Sequence, residues 1–300
     1  MLDTGTARPA IAILWAITGS DIDREISQGI QRALLGHHHD VINFRFRDSE
    51  EGFHEKVRRA LEKVLTDGGV EGVLCAFLDP EDEMVERFHR ANKPLLFIER
   101  PLPVRAAGTL LVNHEIGAEL ATRALFEHGR RKIGYIGPVQ EEGWAGGVRC
   151  RVIRRVVEEE GGELITGDEF HYDPREAREA TRRLLKKAPD VEAIIFASDR
   201  QAFGGIDYLR EAGIGIPDPI AVIGFDDSEF CTRITPTLSS VRQPFEELAE
   251  EAIQMLFRAV REGSESLQSR TWGEELILRE SVLGLGSPEK RFLPEQTSVS

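Results

Sequence analysis

Short apolar runs alternate with longer amphipathic segments along almost the whole chain. The apolar runs cover residues 10–15, 41–44, 72–76, 94–98, 132–137, 193–197 and 221–225. Helical spacing of apolar residues appears between them, at about 23–35, 51–65, 83–90 and 148–159. Continuous apolar runs bounded by Gly, Pro and Asp are typical of parallel strands covered by helices, because parallel crossovers need such connections. The pattern therefore predicts an α/β protein.

The apolar runs fall into two sets, one before and one after Gly129. A chain of 300 residues that is 41% hydrophobic can bury the cores of two domains. We therefore predict two doubly wound parallel-sheet α/β lobes in tandem.

Charge and cysteine content narrow the function classes. The formal net charge is -14, whereas DNA binding draws much of its affinity from Lys and Arg that neutralise phosphates. Such a chain is a poor candidate to hold DNA by itself. The three cysteines lie far apart without a CxxC pair, which fits a reducing compartment. With no signal peptide and no apolar stretch of about 18 residues, we predict a cytoplasmic protein without membrane contact.

Candidate binding residues directly follow the apolar runs, because ligands of open parallel sheets bind beyond the carboxyl ends of the strands. The side chains at these positions are carboxylates, a hydroxyl and an aromatic ring: Asp21, Asp23, Phe77, Ser198, Asp199 and Asp226. Carboxylates accept hydroxyl groups, and aromatic faces cover the CH side of a sugar or a base. This set of candidate binding residues therefore suits a polyhydroxylated neutral ligand. For Asp21, Asp23 and Asp199, helix capping is an equally good interpretation.

Catalytic patterns are absent from the sequence. It has no GxxxxGK[ST] loop, no GxGxxG after the first strand and no GxSxG elbow. The histidines at 37–39 are interpreted as a solvated loop, since adjacent turn residues rarely converge on one metal ion. Asp226 and Asp227 have no nucleophile or oriented base beside them. We predict no enzyme activity, no cofactor and no metal; an enzyme of flavodoxin-like or sugar-isomerising type is the weaker alternative.

Several stretches, in this order along the chain, resemble the lactose-repressor (LacI-type) family of transcription regulators. They are LVNHEIGA at 111–118, LFEHGRRKIGYIG at 125–137, VEAIIFASDRQAFGG at 191–205, PDPIAVIGFDD at 217–227, TPTLSSVRQP at 235–244 and LRES at 278–281. The similarity extends from about residue 10 to residue 283. The ordered series is far more specific than any one of its motifs.

The resemblance implies a periplasmic-binding-protein-like core whose two lobes are joined by three crossovers. We expect these crossovers near residues 129–130, 241–242 and 272–273. The expected N-terminal lobe then comprises 10–129 with 243–272, and the C-terminal lobe 130–241 with 273–286. Residues 1–9 would be a linker remnant and 287–300 a flexible tail.

The resemblance also implies roles for particular residues. Arg149 falls where the family keeps its ligand-holding arginine, Tyr172 at the aromatic stacking position, and Asp226 at the ligand-binding aspartate. Ser198 stands where an asparagine is often found. The first-strand loop, SDID at 20–23, departs from the family's NPFF and favours hydroxyl-rich or cationic ligands over purines.

Three aromatic residues could replace the missing stacking rings of that loop. Trp15, Phe77 and Trp144 are the candidates for an aromatic wall, Trp144 from the rim of a Gly-rich loop. Core packing is the favoured interpretation for Trp15 and an open alternative for Phe77.

The implied function is the effector-binding core of a LacI-type regulator, a homodimer that binds a sugar, nucleoside or similar metabolite between its lobes. DNA would be bound only through an N-terminal helix-turn-helix head. The first strand begins too early for such a head, so we expect either a fragment, which we favour, or a sensor without a head. The alternative function is the solute-binding protein of a sugar transporter.

Overall fold

The structure is a computed structural model that describes residues 9–17, 22–35, 37, 39–47, 50–100, 107–139, 145–167 and 172–293. In these segments no helix combines the length and the apolar character needed to cross a membrane.

Strands and helices alternate along the chain. The strands are β1 (Ala10–Ala16), β2 (Asp40–Phe46), β3 (Val70–Ala76), β4 (Leu95–Ile98), β5 (Gly108–Asn113), β6 (Lys132–Ile136), β7 (Glu163–Thr166), β8 (Ala193–Phe196), β9 (Ala221–Asp226), β10 (Ser239–Arg242), β11 (Arg270–Gly273), β12 (Glu275–Leu278) and β13 (Lys290–Phe292). The helices are α1 (Ile22–Leu34), α2 (Phe53–Thr66), α3 (Asp82–Arg90), α4 (His114–Glu127), α5 (Ala145–Glu159), α6 (Pro174–Lys187), α7 (Asp199–Glu211), α8 (Phe245–Glu262) and α9 (Glu280–Leu283). Short 3₁₀ helices lie at Glu229–Thr232 and Ser264–Ser266.

The chain divides into two compact units. The first ends at Val112 and resumes over Pro244–Trp272; the second comprises Asn113–Gln243 and the residues from Gly273 onward. Three chain crossings therefore connect them. Two mainly parallel α/β units confirm the predicted fold class.

The first unit is built on a six-stranded sheet with the order β11-β5-β4-β3-β1-β2. The pairs β2–β1, β1–β3, β3–β4 and β4–β5 are parallel. Alternate residues of β1 belong to different cores: Ile11 and Ile13 pack with α1 and α8, whereas Ala12 and Leu14 pack with α2 and α3. Both faces of this sheet are covered, which explains why its strands read as continuous apolar runs.

The second unit is built on a seven-stranded sheet with the order β13-β12-β10-β9-β8-β6-β7. From β7 to β10 the strands pair in parallel, and β12 and β13 add antiparallel neighbours. In β8, Ala193 and Ile195 face the core formed with α4 and α5, whereas Ile194 and Phe196 face α6 and α7. The carboxyl ends of β6, β8, β9 and β10 therefore lie along one edge.

The first boundary between the units lies earlier than the predicted crossover near Gly129. Helix α4 begins directly after Asn113, whose side chain accepts a hydrogen bond from the Glu115 N–H at 3.1 Å. Its buried alanines, with Leu125 and Phe126, pack in the core of the second unit. Gly129, at φ 78°, ends the helix inside that unit, and this moves the first boundary to Val112.

The predicted flexible tail at 287–300 needs correction over its first half. Strand β13 pairs antiparallel with β12, and Glu289 lies 3.3 Å from the buried guanidinium of Arg279. A ladder and an ion pair fix this segment because they satisfy backbone and charged groups together. Residues 294–300, and residues 1–8 of the predicted linker at 1–9, lie outside the described residues.

The sequence did not predict strands β5, β7, β10, β11, β12 and β13. Four of them have four residues and β13 has three. Periodicity carries little signal over such lengths.

Gly29 sets the contact between α1 and α8, and its replacement tests this packing. A Cβ at Gly29 would lie 2.1 Å from the backbone oxygen of Glu246 and 2.9 Å from the Cβ of Ala249. Alanine gains about 1 kcal/mol of helix propensity, but overpacking against backbone costs more. We expect Gly29→Ala to lower the free energy of unfolding by about 2 kcal/mol, measured by urea denaturation.

The matched control is Gly68→Ala, at an exposed position with nothing within 4 Å of the added Cβ. Equal stability of the two variants would contradict the close approach of α1 and α8.

Candidate functional site

The candidate site is the edge of the second sheet at which its parallel strands end. Asp226 ends β9, Ser198 follows β8 by two residues, and Gln243 directly follows β10. Arg149 comes from α5, the helix that follows β6, and Tyr172 directly precedes the N-cap of α6. Elements from the whole central part of the sheet thus contribute to one edge, as expected for a doubly wound sheet.

Arg149 is the most deeply buried cation of this edge. Its side chain is 3% exposed, and its Nη1 donates to the carbonyl oxygen of Ala197 at 2.8 Å. The guanidinium lies over the ring of Phe225, 4.1 Å from the ring centroid. A charge buried this far from water needs counter-charges close by.

Glu274 supplies the first of these counter-charges. It is completely buried, and its Oε1 lies 3.6 Å from Nη2 of Arg149 and 2.8 Å from Nδ1 of His114. A carboxylate can only accept hydrogen bonds, so we assign the shared proton to Nδ1 of the histidine. Among the described residues, no donor reaches Oε2 of Glu274, and no acceptor reaches the N–H of Arg149 Nε.

The balance of burial and charge is visible in the pKa of Arg149. Desolvation by burial lowers the pKa, but the electrostatic influence of Glu274, Tyr172 and Asp226 outweighs it, so that the net shift of the Arg149 pKa is upward. The guanidinium is therefore charged at every accessible pH, and Tyr172 and Asp226 act on it electrostatically.

Sequence reasoning missed Glu274, His114 and Gln243 as members of this site. A usable signal is Gly117 in the first turns of α4, where a glycine is unfavourable. A Cβ there would lie 2.1 Å from Oε2 of Glu274, so the glycine makes room for the buried carboxylate. The sequence does not reveal that Gly117 and Glu274 are in contact, because the two residues are far apart along the chain.

Asp226 lies at the edge in a strained backbone conformation. Its φ is 111° and that of Asp227 is 54°, a region that non-glycine residues rarely adopt. Gln243 Nε2 donates to Oδ1 of Asp226 at 2.6 Å. Asp227 is held by Arg279 at 2.7 Å, and its N–H donates to Ser240 Oγ at 3.0 Å. These contacts fix the turn, so the Asp226 carboxylate has a defined position.

Tyr172 provides the accessible aromatic group of this edge. Its side chain is 41% exposed, and an aromatic ring at a partly exposed position can stack on the apolar face of a ligand. The phenol oxygen lies against Gly146, where an added Cβ would be only 2.8 Å away. The carbonyl of Gly146 accepts a hydrogen bond from Tyr135 at 2.9 Å, so the first turn of α5 supports both tyrosines.

Ser198 caps helix α7, and Asp199 points into the protein. The Ser198 Oγ accepts from the N–H of Gln201 at 3.3 Å. Asp199 is completely buried and accepts from Ser228 N–H at 2.7 Å, Cys231 Sγ at 3.0 Å and Ser240 Oγ at 2.7 Å. Three internal donors on a carboxylate without exposed surface give it a structural role, and this corrects the expectation that Asp199 contacts a ligand.

The remaining predicted residues belong to the first unit or lie outside the described residues. Asp23, in the first turn of α1, accepts a hydrogen bond from Trp15 Nε1 at 3.1 Å. Trp15 is 4% exposed and belongs to the core, as favoured from the sequence. Phe77 follows β3 at φ 54° and packs edge-on against Phe245, with ring centroids 5.8 Å apart.

Asp21 and Trp144 lie outside the described residues, so their predicted roles stay predictions. In the part of the chain that is described, no group of three or more His, Cys, Asp or Glu side chains could hold a metal ion.

A family model described as a periplasmic binding protein-like domain matches residues 122–282. This is more than half of the chain, and it spans most of the candidate edge. The chain belongs to the periplasmic binding protein-like domain family. Its relatives are LacI-family regulators, which confirms the resemblance found in the sequence.

Two curated relatives illustrate the range of similarity. The HTH-type transcriptional regulator CelR of Thermobifida fusca is 33% identical over 193 residues, which are 62% of this chain and 56% of CelR. The ribose operon repressor of Halalkalibacterium halodurans is 26% identical over 289 residues, which are 85% of this chain and 83% of that protein. This chain thus spans little more than half of the length of the CelR relative.

A solved structure with a bound sugar has the same fold. It is described as a transcriptional regulator CelR–cellobiose complex, is 25% identical in sequence and superposes with a TM-score of 0.74 over 92% of this chain and 86% of that one. The three relatives are named as regulators, which are not enzymes, and this agrees with the prediction that the chain is not an enzyme.

The buried Asp199 gives this edge a pH-dependent stability. Burial raises the pKa of Asp199 to about 7, although its hydrogen bonds from Ser240, Cys231 and Ser228 act in the opposite direction. The folded state therefore holds this proton more tightly than the unfolded chain, in which an aspartic acid titrates near about 4. The stabilisation is complete at low pH and is lost as the pH rises towards about 7.

We expect the stability of the unaltered protein, relative to Asp199→Asn, to fall by a few kcal/mol between about pH 4 and pH 7. Urea denaturation at pH 4.5, 5.5 and 7 measures the difference. Asp207→Asn, at a side chain of the same helix that is 66% exposed, is the control; because it keeps Asp199, its pH profile should parallel that of the unaltered protein. Parallel pH profiles for all three proteins would contradict the assignment.

Proposed function

We propose that the chain is the effector-binding core of a LacI-type transcription regulator and that its effector is a saccharide. The effector would be bound at the carboxyl edge of the second sheet. Its binding would regulate transcription in the cytoplasm through a DNA-binding domain.

The convergence of Arg149, Asp226 and Tyr172 carries this proposal. A guanidinium donates and a carboxylate accepts, so the pair can satisfy the two hydrogen-bonding functions of neighbouring hydroxyl groups. The exposed ring of Tyr172 can cover the apolar CH face of a pyranose. Ser198 and Gln243 add further polar groups to the same edge. This combination is typical of sugar-binding sites, where few polar groups fix the orientation of a ligand on an apolar surface.

The bound cellobiose of the CelR complex supports a saccharide, because that protein shares the fold along 92% of this chain. The ribose operon repressor is also named for a sugar. Asp23 and Phe77, at the carboxyl ends of the strands of the first unit, are proposed as further binding residues. The homodimer stays a prediction from the family resemblance.

Isothermal titration calorimetry with a set of neutral sugars that includes cellobiose and ribose tests the proposal. For the sugar that binds, we expect Arg149→Met and Asp226→Asn each to weaken the affinity at least about tenfold, because hydrogen bonds to charged groups contribute about 1.5–3 kcal/mol.

Arg151→Met is the matched control for Arg149. Arg151 lies two residues further along α5, its side chain is 60% exposed, and it pairs with Glu115 on α4. Its replacement should leave the affinity unchanged. Binding that survives both Arg149→Met and Asp226→Asn would remove this site from consideration, and the absence of binding by any saccharide would contradict the proposed function itself.

A further inference from the structure

The buried carboxylate of Glu274 carries an inference that rests on the proposed function and narrows its ligand class. We propose that Glu274 is an internal counter-ion of Arg149 that makes the site selective for uncharged saccharides over sugar acids and sugar phosphates.

The charged groups around Arg149 do not sum to a positive charge. Arg149 brings one positive charge to the edge, and Glu274 and Asp226 bring two negative charges. A further ionisable neighbour, His114, lies 2.8 Å from Glu274. With His114 neutral the net charge of these four groups is negative, and with His114 protonated it is zero. In neither state do these four described groups offer the excess positive charge that a desolvated anion needs.

The protein's own acceptors already occupy part of the hydrogen-bonding capacity of the Arg149 guanidinium. Carboxylates and phosphates are bound best by two parallel N–H groups of an arginine. In this site, Nη1 already donates to the Ala197 carbonyl at 2.8 Å, and Nη2 lies beside Glu274 at 3.6 Å and His114 at 3.4 Å. Nε is the nitrogen of Arg149 without a partner among the described residues. Nη1 and Nη2 therefore each face an oxygen of the protein itself, whereas a single hydroxyl group can accept from Nε without competing with Ala197 or Glu274.

The local packing shows that the position of Glu274 is built into the fold. Its carboxylate occupies the space left by Gly117, near the N-terminal turns of α4, where the helix dipole favours a negative charge. It comes directly after Gly273, at which the chain enters the second unit. The carboxylate is therefore held from two sides and cannot turn away from Arg149 to admit an anion.

A panel of neutral and anionic sugars tests the selectivity. The pairs are ribose with ribose 5-phosphate, glucose with glucuronate and galactose with galacturonate, together with cellobiose, measured by calorimetry on the whole chain. In the unaltered protein we expect the neutral member of a binding pair to bind at least about tenfold more tightly, because like-charge contacts are strongly unfavourable. Glu274→Gln should reduce this preference at least about fivefold.

Glu275→Gln is the matched control. Glu275 is the next residue of the chain, lies on β12 and faces Arg242 and Arg291 at 3.8 and 3.9 Å instead of Arg149. It should leave the preference unchanged. An anionic sugar that binds as tightly as its neutral counterpart, or a preference that survives Glu274→Gln, would overturn the proposal.

A thermal double-mutant cycle tests the counter-ion relation without any ligand. Arg149→Met and Glu274→Gln each leave a buried charge without its partner, so each should lower Tm by about 5 °C or more, and the double variant should lose clearly less than the sum. Additive losses would overturn the proposal whatever the panel gives. If no saccharide binds, the proposed function fails and the selectivity proposal fails with it, whereas a coupled cycle would still support the ion pair between Arg149 and Glu274.

Discussion

A charged guanidinium cannot lie inside a protein without counter-charges, and the second unit is organised around this constraint at Arg149. Glu274 satisfies the charge, Phe225 covers one face of the guanidinium and the Ala197 carbonyl accepts one N–H. These groups come from the end of one strand, the loop after a second and the start of a third. Because each lies where a strand or crossing ends, the position of the charge depends on the register of the whole sheet.

A second buried charge centre holds the neighbouring part of the same edge. Asp199 joins the start of α7 to Ser228 and Ser240 through short hydrogen bonds, and it lies against Gly224, where a Cβ would be 2.2 Å from its Oδ1. This network supports the strained backbone at Asp226 and Asp227. Strain of this kind persists only where the surrounding contacts fix the conformation, and here it places a carboxylate at the site. Asp199 therefore stabilises the backbone that forms the site and does not line the site itself.

Much of the fold could be predicted because its signals are local. Buried parallel strands give continuous apolar runs, and β1, β8 and β9 were recognisable from these runs alone. The family motifs added Arg149, Tyr172 and Asp226, which the structure brings to one edge. The first boundary between the units was predicted too late because Gly129 was taken as the crossover. Only the packing shows that this glycine ends a helix within the second unit.

The sequence by itself determined the class of the fold, the order of its elements and the strand ends at which binding residues lie, because periodicity and turn residues are properties of neighbouring positions. Tertiary structure alone decided which of these polar residues reach the site. Asp199 and Asp226 both directly follow or end apolar strands, yet one is enclosed by three internal donors and the other lies at the site. Glu274 and His114 are separated by more than half of the chain, and they meet Arg149 only because the crossing at Gly273 brings β12 under α4. Long-range contacts between charges leave no trace in local periodicity.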